Sequence, residues 1–525
     1  MDTKALRQKI LDLAIRGKLV SQDPNDEPAS VLLERIREQK KQMVKEGKLK
    51  AKDIKNDTII FVGEDNLHYE KFQDGTVKCI EDEIPFELPE GWEWVRLQSI
   101  TSTLTDGTHK TPTYSDDGYI FLSSKNVTSG KIDWDNIMYI PETLHQELYT
   151  RLAPKIGDIL LAKNGTTGIA AIVDKEEIFD IYVSLALIRI VENIIDPLYV
   201  LSAIGSSCIQ DYFNSSLKGI GVPNLHLEHI RKTLIPIPPY SEQGRIVLRT
   251  NMLLPLAEQI EEDKKELGRL VSASKSKILD LAIRGKLVPQ DPNDEPASVL
   301  LERIRTEKEE LIKQGKIKRD KKESIIFQGD DNSYYRQTGN LVEPISDWEL
   351  DDIPDNWALC CLGELCDYGN CNNVEADSIT NNAWILDLED IEKDTGRVIK
   401  KIRKTERDFT STKHSFHEGQ VLYSKLRPYL NKVIIADEDG FCTSEILPLD
   451  FSKVVLPQYA LYYLMSPTFL KYANRCSYGV KMPRLGTADG KKAIFPLPPL
   501  EEQYRISDCI SKIFMQVDTI SASIL

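Results

Sequence analysis

The sequence predicts a mixed α/β protein built from two copies of one unit. Residues 10–37 recur as residues 278–305, and the only change is Ser21 to Pro289. Short β-rich runs such as "GYIFLSSKNV" and "GDILLAKNG" alternate with turns and helical segments in the region that follows each copy. A long amphipathic segment separates the two regions. We therefore predict two globular α/β domains separated by two antiparallel long helices, in a pseudo-two-fold, circularly closed arrangement.

The repeat continues beyond the nearly identical block. "IIFVGEDNLHY" matches "IIFQGDDNSYY", "LPEGWEWVRLQSI" matches "IPDNWALCCLGEL", and "IPIPPYSEQGRI" matches "FPLPPLEEQYRI". This pattern divides the chain into a repeat segment and a divergent domain, each present twice. The predicted boundaries are an N-terminal repeat segment at 1–83, a first domain at 84–238, a central repeat segment at 239–345, a second domain at 346–498 and a C-terminal helix at 499–525.

The segment from Pro239 to Val288 predicts a long helix, or two in line, with coiled-coil character. Leu253, Ile260, Leu267 and Leu281 lie on a seven-residue repeat that is broken by the polar Ser274, and Leu256 and Leu270 supply the d positions. Residues 499–525 match the first part of this segment and residues 1–20 match its last part. The two ends therefore together predict a second copy of the helix, which requires the termini to meet. The alternative is that each helix docks separately on its own domain.

A second helix is predicted after each long helix. Pro24 and Pro28 mark a turn, Asp26 is the expected N-cap, and Gly47 is the expected residue just past the helix end. The lysine-rich tail that follows is interpreted as a solvated face in preference to a direct DNA contact. In each divergent domain, one helix is expected near the end, over "PLYVLSAIGSSCIQDYFNSS" and "PQYALYYLMSPTFLKYANRC".

Composition and missing motifs exclude several classes. The 525 residues carry a net charge of −15, which disfavours a whole-surface nucleic-acid binder but allows local basic faces. No long apolar run and no signal-peptide pattern occur, and the nine cysteines lack zinc-site spacing, so we expect reduced thiols, several in a buried strand, and a cytoplasmic protein. No P-loop, G-x-S-x-G or H-E-x-x-H is present, and Ile237 cannot replace the Asn or Asp of a methyltransferase N/D-P-P-Y turn. We predict neither catalytic residues nor a bound metal or cofactor.

Several loops combine glycine with short polar and basic residues, which suits contact with DNA. Lysine and arginine can neutralise phosphate, and asparagine or arginine can read base edges. Such loops are also common surface turns. The candidate DNA-binding residues are Thr108, His109, Lys110, Ser124, Lys125, Asn126, Lys163, Asn164, Thr166 and Lys218 in the first domain, and Lys425, Arg427, Tyr429, Asn431 and Lys481 in the second.

The order of these elements resembles the specificity subunit of type I restriction–modification enzymes. The stretches that carry the resemblance are "ILDLAIRGKLVPQDPNDEPASVLLERI", "GWEWVRL", "GDILLAKNGTTG", "KLRPYLNKV" and "PIPPYSEQGRI", and the match covers essentially the whole chain. The second domain departs from the first because "LRPYLN" replaces "NGTTG". Contacts therefore cannot be transferred from one domain to the other.

The resemblance implies a function as well as a fold. Each divergent domain would be a target recognition domain that reads one half of a bipartite, asymmetric site in double-stranded DNA, and the helices would set the spacing. Two methyltransferase subunits would bind the repeated segments, and two motor–nuclease subunits would complete the complex. S-adenosylmethionine, ATP and magnesium would belong to those partners. The alternatives are a stand-alone sequence-specific DNA-binding protein, an enzyme with a divergent active site, and a coiled-coil assembly factor without DNA preference.

Overall fold

Helices and strands follow the same order in both halves of the chain. The computed structural model describes residues 2–217, 223–315, 324–345, 353–451 and 455–524. The chain folds into two units, Met1–Asp263 and Lys264–Leu525, and helix α8 (Tyr240–Ile283) contributes residues to both. The predicted mixed α/β class and the internal duplication are confirmed.

The first unit contains the first divergent domain and the helical segments on either side of it, including the first part of α8. Its other helices are α1 (Thr3–Ile15), α2 (Ala29–Lys45), α3 (Ala51–Ile54), α4 (Glu142–Arg151), α5 (Pro197–Ile204), α6 (Ser207–Ser215) and α7 (Leu227–Lys232). Its strands are β1 (Ile59–Val62), β2 (His68–Lys71), β3 (Val77–Cys79), β4 (Glu93–Arg96), β5 (Thr101–Asp106), β6 (Tyr119–Leu122), β7 (Met138–Ile140), β8 (Ile159–Ala162), β9 (Ala170–Ile172), β10 (Phe179–Ile181), β11 (Leu185–Ile190) and β12 (Leu234–Ile237).

Among the described residues of the first unit, the strands form four small sheets. Their orders are β1-β2-β3, β10-β6-β7, β5-β11-β8-β9 and β12-β4, and β10 pairs with β6 in parallel. Strands β8 and β11 lie at the centre of the largest sheet. Every residue of β8 is buried, as the apolar run "ILLA" predicts for a strand covered on both faces. These sheets hold the loops that follow β5, β6 and β8.

The second unit repeats this plan with different strand lengths. Its other helices are α9 (Ala297–Lys313), α10 (Leu362–Leu365), α11 (Pro457–Met465), α12 (Pro467–Arg475), α13 (Thr487–Lys491) and α14 (Leu500–Ile524). Its strands are β13 (Ser324–Gln328), β14 (Tyr334–Thr338), β15 (Leu341–Pro344), β16 (Ala358–Cys361), β17 (Asn373–Val374), β18 (Trp384–Leu386), β19 (Ile402–Arg403), β20 (Lys413–Phe416), β21 (Val421–Ser424), β22 (Val433–Ile435), β23 (Gly440–Thr443), β24 (Ile446–Leu449), β25 (Ser477–Tyr478), β26 (Arg484–Leu485) and β27 (Ile494–Leu497).

The sheets of the second unit include a five-stranded one. The orders are β13-β14-β15, β16-β27, β17-β20-β23-β18-β19, β22-β21-β24 and β25-β26. The main hydrophobic core of the second unit contains aromatic side chains from α11, α12 and β27, among them Tyr459, Tyr463, Phe469 and Phe495. Cys360 and Cys361 lie in strand β16 and are buried, as the sequence predicts.

The same set of contacts, which we call the frame, recurs in both units at equivalent positions of the repeat. The indole nitrogen of Trp92 donates to Glu242 at 2.9 Å, and that of Trp357 donates to Glu502 at the same distance. Gly17 and Gly285 both have a left-handed backbone, at φ +64° and +65°. A Cβ at Gly17 would also lie 2.5 Å from the Cγ of Pro89. The frame therefore requires glycine just after the first helix of each repeat.

The long helix is confirmed, but its predicted seam is partly wrong. Leu256 and Leu270, the predicted d positions, are 59% and 55% exposed, whereas Ala257 is buried. Within the first unit, α1 packs antiparallel to α8: Thr3 contacts Glu261, and Arg7 pairs with Glu258 at 2.6 Å. The buried stripe therefore passes one residue later than the heptad of leucines indicates, because the packing partner and not leucine spacing selects the covered face.

Two other local predictions are wrong. Helix α2 has Pro28 as its N-cap, and the carboxylate of Asp26 pairs instead with Arg245 on α8 at 2.6 Å. Gly47 follows the end of α2 at φ +74°, as predicted. The single helix predicted near the end of each domain is two helices. In the second domain the break falls at Ser466, whose hydroxyl accepts from the amide of Phe469, immediately before Pro467.

Candidate DNA interface

The three candidate loops of the first domain meet around two residues that the sequence analysis did not select. Asp106, the last residue of β5, accepts from the ammonium of Lys163 at 2.5 Å and lies 3.3 Å from Nε2 of His109. Ser184 accepts the amide of Ser124 on its hydroxyl and the amide of Lys163 on its carbonyl, at 3.0 and 2.8 Å. The fold therefore brings together the loops at 107–110, 123–126 and 163–166.

Gly107 allows the first of these loops to lie against the neighbouring chain. The amide of Thr108 donates to the carbonyl of Ile181 at 3.1 Å, and the carbonyl of Thr108 accepts from Val183 at 3.0 Å. A Cβ on Gly107 would lie 1.9 Å from the carbonyl oxygen of Ile181. Such a distance is impossible for any other residue without moving the backbone. Glycine at this position thus determines where the backbone of His109 and Lys110 lies on the domain surface.

The candidate side chains of the first domain differ in their exposure to solvent. His109, Lys110, Lys125 and Thr166 are exposed, whereas Thr108, Ser124 and Asn164 are half-buried. Lys218 lies outside the described residues. The exposed group supplies lysine cations and the hydroxyl of Thr166, which is chemistry that suits phosphate and base edges.

Lys163 and Asn126 occupy supporting positions inside the first domain. Lys163 is 6% exposed and its ammonium pairs with Asp106. Asn126 is 7% exposed; it accepts from the amide of Ser123 at 3.0 Å and donates to the carbonyl of Asn136 at 2.9 Å. Both side chains use their polar atoms within the protein. We therefore reassign them from the predicted contact surface to the support of the loops.

The second domain builds its candidate site from a loop and a hairpin. The loop at 424–431 follows β21, and the hairpin consists of β25, β26 and the turn between them. Leu485 donates its amide to the carbonyl of Lys425 at 3.0 Å, and Arg427 donates its amide to the carbonyl of Pro483 at 2.7 Å. The sequence "SKLRPYLNK" and the distant "SYGVKMPRLGT" therefore form one structure.

Backbone strain marks the loop of the second domain. Arg427 and Asn431 have φ values of +51° and +49°, in the left-handed region that side chains other than glycine seldom adopt. Nε of Arg427 is buried without a hydrogen-bond partner among the described residues. Tyr429 and Lys481 are exposed, and Lys425 is half-buried. Asn431 is only 8% exposed and donates to the carbonyl of Met465 at 3.3 Å, so we reassign it to loop support as well.

The two domains share one connection despite their different loops. Leu225 donates its amide to the carbonyl of Lys163 at 2.9 Å, as Leu485 does to Lys425 in the second domain. The amides of Lys163 and Lys425 donate to the carbonyls of Ser184 and Glu445, respectively. In the second domain Glu445 also pairs with Arg484 at 2.8 Å. Asp106, Ser184 and Glu445 were missed because their roles depend on tertiary pairings; only Asp106, beside the "GTHK" loop, gave a local signal.

No group of three or more His, Cys, Asp and Glu side chains in the described ranges could hold a metal ion. Burial raises the pKa of Cys361 to about 12, so this thiol stays protonated at neutral pH. No helix in the described part of the chain is long and apolar enough to cross a bilayer.

Comparisons with known proteins agree with this architecture. The model of the type I restriction modification DNA specificity domain matches residues 89–266 and again residues 354–524. The chain therefore belongs to the type I restriction–modification specificity family and carries two copies of its domain. This confirms the resemblance drawn from the repeated segments and loops.

Individual relatives extend the match to nearly the whole chain. The specificity subunit of the type I restriction enzyme EcoAI from Escherichia coli is 30% identical over 96% of this chain and 87% of its own length. The EcoEI specificity subunit from the same species is 31% identical over 69% of this chain and 61% of its length. A structure solved in a study of complex assembly and conformational transition in the type I R-M system has a TM-score of 0.50 at 19% identity, over 84% of this chain and 94% of that chain. That structure supports the fold.

Proposed function

We propose that this chain is the non-catalytic DNA-recognition subunit of a type I restriction–modification complex. Each divergent domain reads one half of a bipartite, asymmetric site in double-stranded DNA. The observation that carries the proposal is the contrast between a frame kept in both units and loops that differ between them. A frame used twice suits an identical partner on each unit, and unlike loops suit unlike half-sites.

The partners follow from this assignment. We propose two methyltransferase subunits on the repeated segments and two motor–nuclease subunits in the complete enzyme, within the cytoplasm of the host. S-adenosylmethionine, ATP and magnesium belong to those subunits. The net charge of −15 is compatible with DNA binding because the partners contribute phosphate-neutralising charge and because the candidate loops of this chain are locally basic.

Helix α8 is proposed to set the spacer between the half-sites. A helix rises about 1.5 Å per residue, so the roughly 30 residues of its central part span about 45 Å. Half-sites one DNA turn apart are separated by about 34–36 Å. Insertion of one helical turn after Ile260 is expected to lengthen the spacer and leave both half-site sequences unchanged. An unchanged spacer would contradict the proposed ruler.

The experiment that tests the function is methylome sequencing of a host that expresses the neighbouring methyltransferase gene with and without this chain. The proposal predicts a methylated motif of two short, unlike halves around a fixed gap, present only with the chain. The variant Asp106→Asn should change the sequence recognised by the first domain and leave the other half of the motif unchanged. The reason is that it removes the carboxylate that Lys163 and His109 share. Absence of any chain-dependent motif would contradict the proposal, and equal loss of both halves would contradict the assignment of Asp106.

A further inference from the structure

The hairpin formed by β25 and β26 exposes apolar side chains at its turn. Val480 is fully exposed, Tyr478 is 62% exposed and Met482 is 50% exposed. Apolar side chains that remain in water contribute nothing to the stability of the fold. A group of them on one turn is typical of a surface that binds a partner.

The hairpin is held firmly at its base. Tyr478 pairs with Arg484 across the two strands, and Gly479 provides the turn with a φ of +99°. Arg484 forms an ion pair with Glu445 at 2.8 Å, and Arg427 donates its amide to the carbonyl of Pro483. The exposed turn is therefore presented in a fixed position beside the loop at 424–431.

The charge around the turn favours a polyanion as the partner. Lys481 is exposed and stands between Val480 and Met482 in the sequence. Lys425 and Arg427 belong to the loop that the hairpin base contacts, and neither side chain forms an ion pair among the described residues. An apolar turn flanked by three cations is suited to DNA, because phosphates meet the cations while base edges meet the apolar groups.

We propose that this hairpin enters the major groove and that Val480, with Met482 beside it, packs against the methyl group of a thymine. The inference rests on the proposed function and specifies how the second domain reads its half-site. The major groove admits a two-stranded β-ribbon, and the C5-methyl of thymine is the apolar group that base pairs present there. Lys481 contacts a phosphate at the groove edge.

Uracil provides a direct probe, because it differs from thymine only by that methyl group. The test uses the purified complex of this chain with its methyltransferase subunits and duplexes that carry the methylated motif. Each thymine of the motif is replaced by uracil in turn, and affinity is measured by competition. We expect a loss of about fourfold at one or two thymines, all within one half-site, because one buried methyl group contributes about this much.

Variants connect the effect to the hairpin. The complex with Val480→Ser should bind thymine and uracil duplexes equally at the sensitive position, and Val480→Thr should retain part of the preference. Lys481→Gln should weaken binding to all duplexes equally and reduce the dependence of affinity on salt. The control is Ile178→Ser, which removes an exposed apolar side chain from the first domain. It should leave the thymine preference in the half-site of the second domain intact.

Three results would overturn the proposal. In the first, the complex recognises a bipartite motif, but its affinity for the duplex does not change when any thymine is replaced by uracil. This result would leave the proposed function intact and exclude the methyl contact. The second is a thymine preference that persists in Val480→Ser. The third is weaker binding of the methyltransferase subunit by Val480→Ser with unchanged discrimination of uracil, which would assign the turn to a protein partner. Absence of any bipartite motif would instead contradict the proposed function itself.

Discussion

The two units keep the same contacts in their frame and differ where the loops meet. Arg245 pairs with Asp26, and Arg505 pairs with Asp294, each at 2.6 Å. Tyr199 and Tyr459 each donate to a proline carbonyl, at 2.6 and 2.9 Å. The frame is thus duplicated in its hydrogen bonds and ion pairs as well as its sequence. Under the proposed function, a partner shared by both units accounts for this retention, and unlike half-sites account for the divergence of the loops.

One buried charge shows how the frame tolerates change. In the first unit Arg96 on β4 pairs with Glu70 at 2.8 Å and donates to the carbonyl of Lys232. In the second unit the position of Glu70 is Arg336 on β14, which donates to the carbonyl of Lys492, and the position of Arg96 is Cys361. The guanidinium reaches the equivalent carbonyl from the other strand. In both units a guanidinium therefore donates to this carbonyl, although a different strand supplies it.

The largest expected effect comes from breaking that arrangement in the first unit. Arg96→Cys leaves Glu70 buried without its cation, which should lower the free energy of unfolding by about 3–5 kcal/mol. The double variant Glu70→Arg with Arg96→Cys rebuilds the arrangement of the second unit and should recover a large part of the loss. Urea unfolding measures both. A double variant no more stable than Arg96→Cys would show that the two arrangements are not interchangeable.

A smaller effect is expected at the glycine of the frame. Gly17→Ala should cost about 1–2 kcal/mol from the left-handed backbone alone, and more because the new Cβ would collide with Pro89. Gly285→Ala should behave alike in the second unit. Gly47→Ala is the control, since it has a φ of +74° and no atom within 4 Å of the added Cβ. Thermal unfolding should show a greater loss for Gly17 and Gly285 than for Gly47.

The pH dependence of the first unit should reflect a buried ion pair. Asp57 lies 2.6 Å from Lys40, and burial raises the pKa of Asp57 to about 6 in spite of that cation. The folded state then binds more protons than the unfolded state between about pH 4 and pH 6. The contribution of Asp57 to stability therefore falls as the pH rises through this range, by about 2 kcal/mol.

The comparison of the parent chain with Asp57→Asn isolates this contribution. Urea midpoints of both proteins are measured at several pH values. The difference between the two proteins should change from about pH 4 to about pH 7, where Asp57 is fully ionised in the folded state, and stay constant above. The size of this stability difference depends on Lys40, because burial lowers the pKa of its ammonium group. A difference independent of pH over the whole range would contradict the assignment.

The smallest effects are expected at the ion pairs on helix α8. Arg7–Glu258 in the first unit is about two-fifths exposed at both side chains, whereas Lys275–Asp518 in the second is 21% and 30% exposed. Asp518 also pairs with Arg397 at 2.8 Å. Glu258→Gln should cost at most a few tenths of a kcal/mol and Asp518→Asn up to about 1 kcal/mol. Double-mutant cycles measure each pair, and a larger coupling at Glu258 would reverse the expected order.

Sequence reasoning succeeded where a local rule decided the structure. The duplication, the long helix from Tyr240 and the glycine after α2 all follow from spacing and backbone preference. It failed where a distant partner decided. Asp26 has the chemistry of an N-cap but pairs with Arg245, and Leu256 fits a heptad but lies on the face that α1 leaves exposed.

The candidate site was predictable as a set of loops but not as a set of side chains. Lys163 and Asn126 have the right chemistry for DNA, yet both are buried. Lys163 pairs with Asp106 on a distant strand, and Asn126 is held by the nearby residues Ser123 and Asn136. Only the fold shows that Asp106 and Ser184 gather three loops, or that the turn at Val480 stands beside Arg427. The sequence alone does not reveal the anchoring of the second-domain hairpin, because the bonds that hold it join residues 39 to 60 positions apart.

The central claim, that one frame carries two independent readers, is tested most directly by making the readers identical. In the experiment, residues 354–498 are replaced by residues 89–238, and the methylome is sequenced in a host that supplies the methyltransferase subunit. The motif should change from two unlike halves to two identical halves in inverted orientation, each read by a copy of the first domain. A motif that keeps its original second half, or a new half unrelated to the first, would contradict the claim.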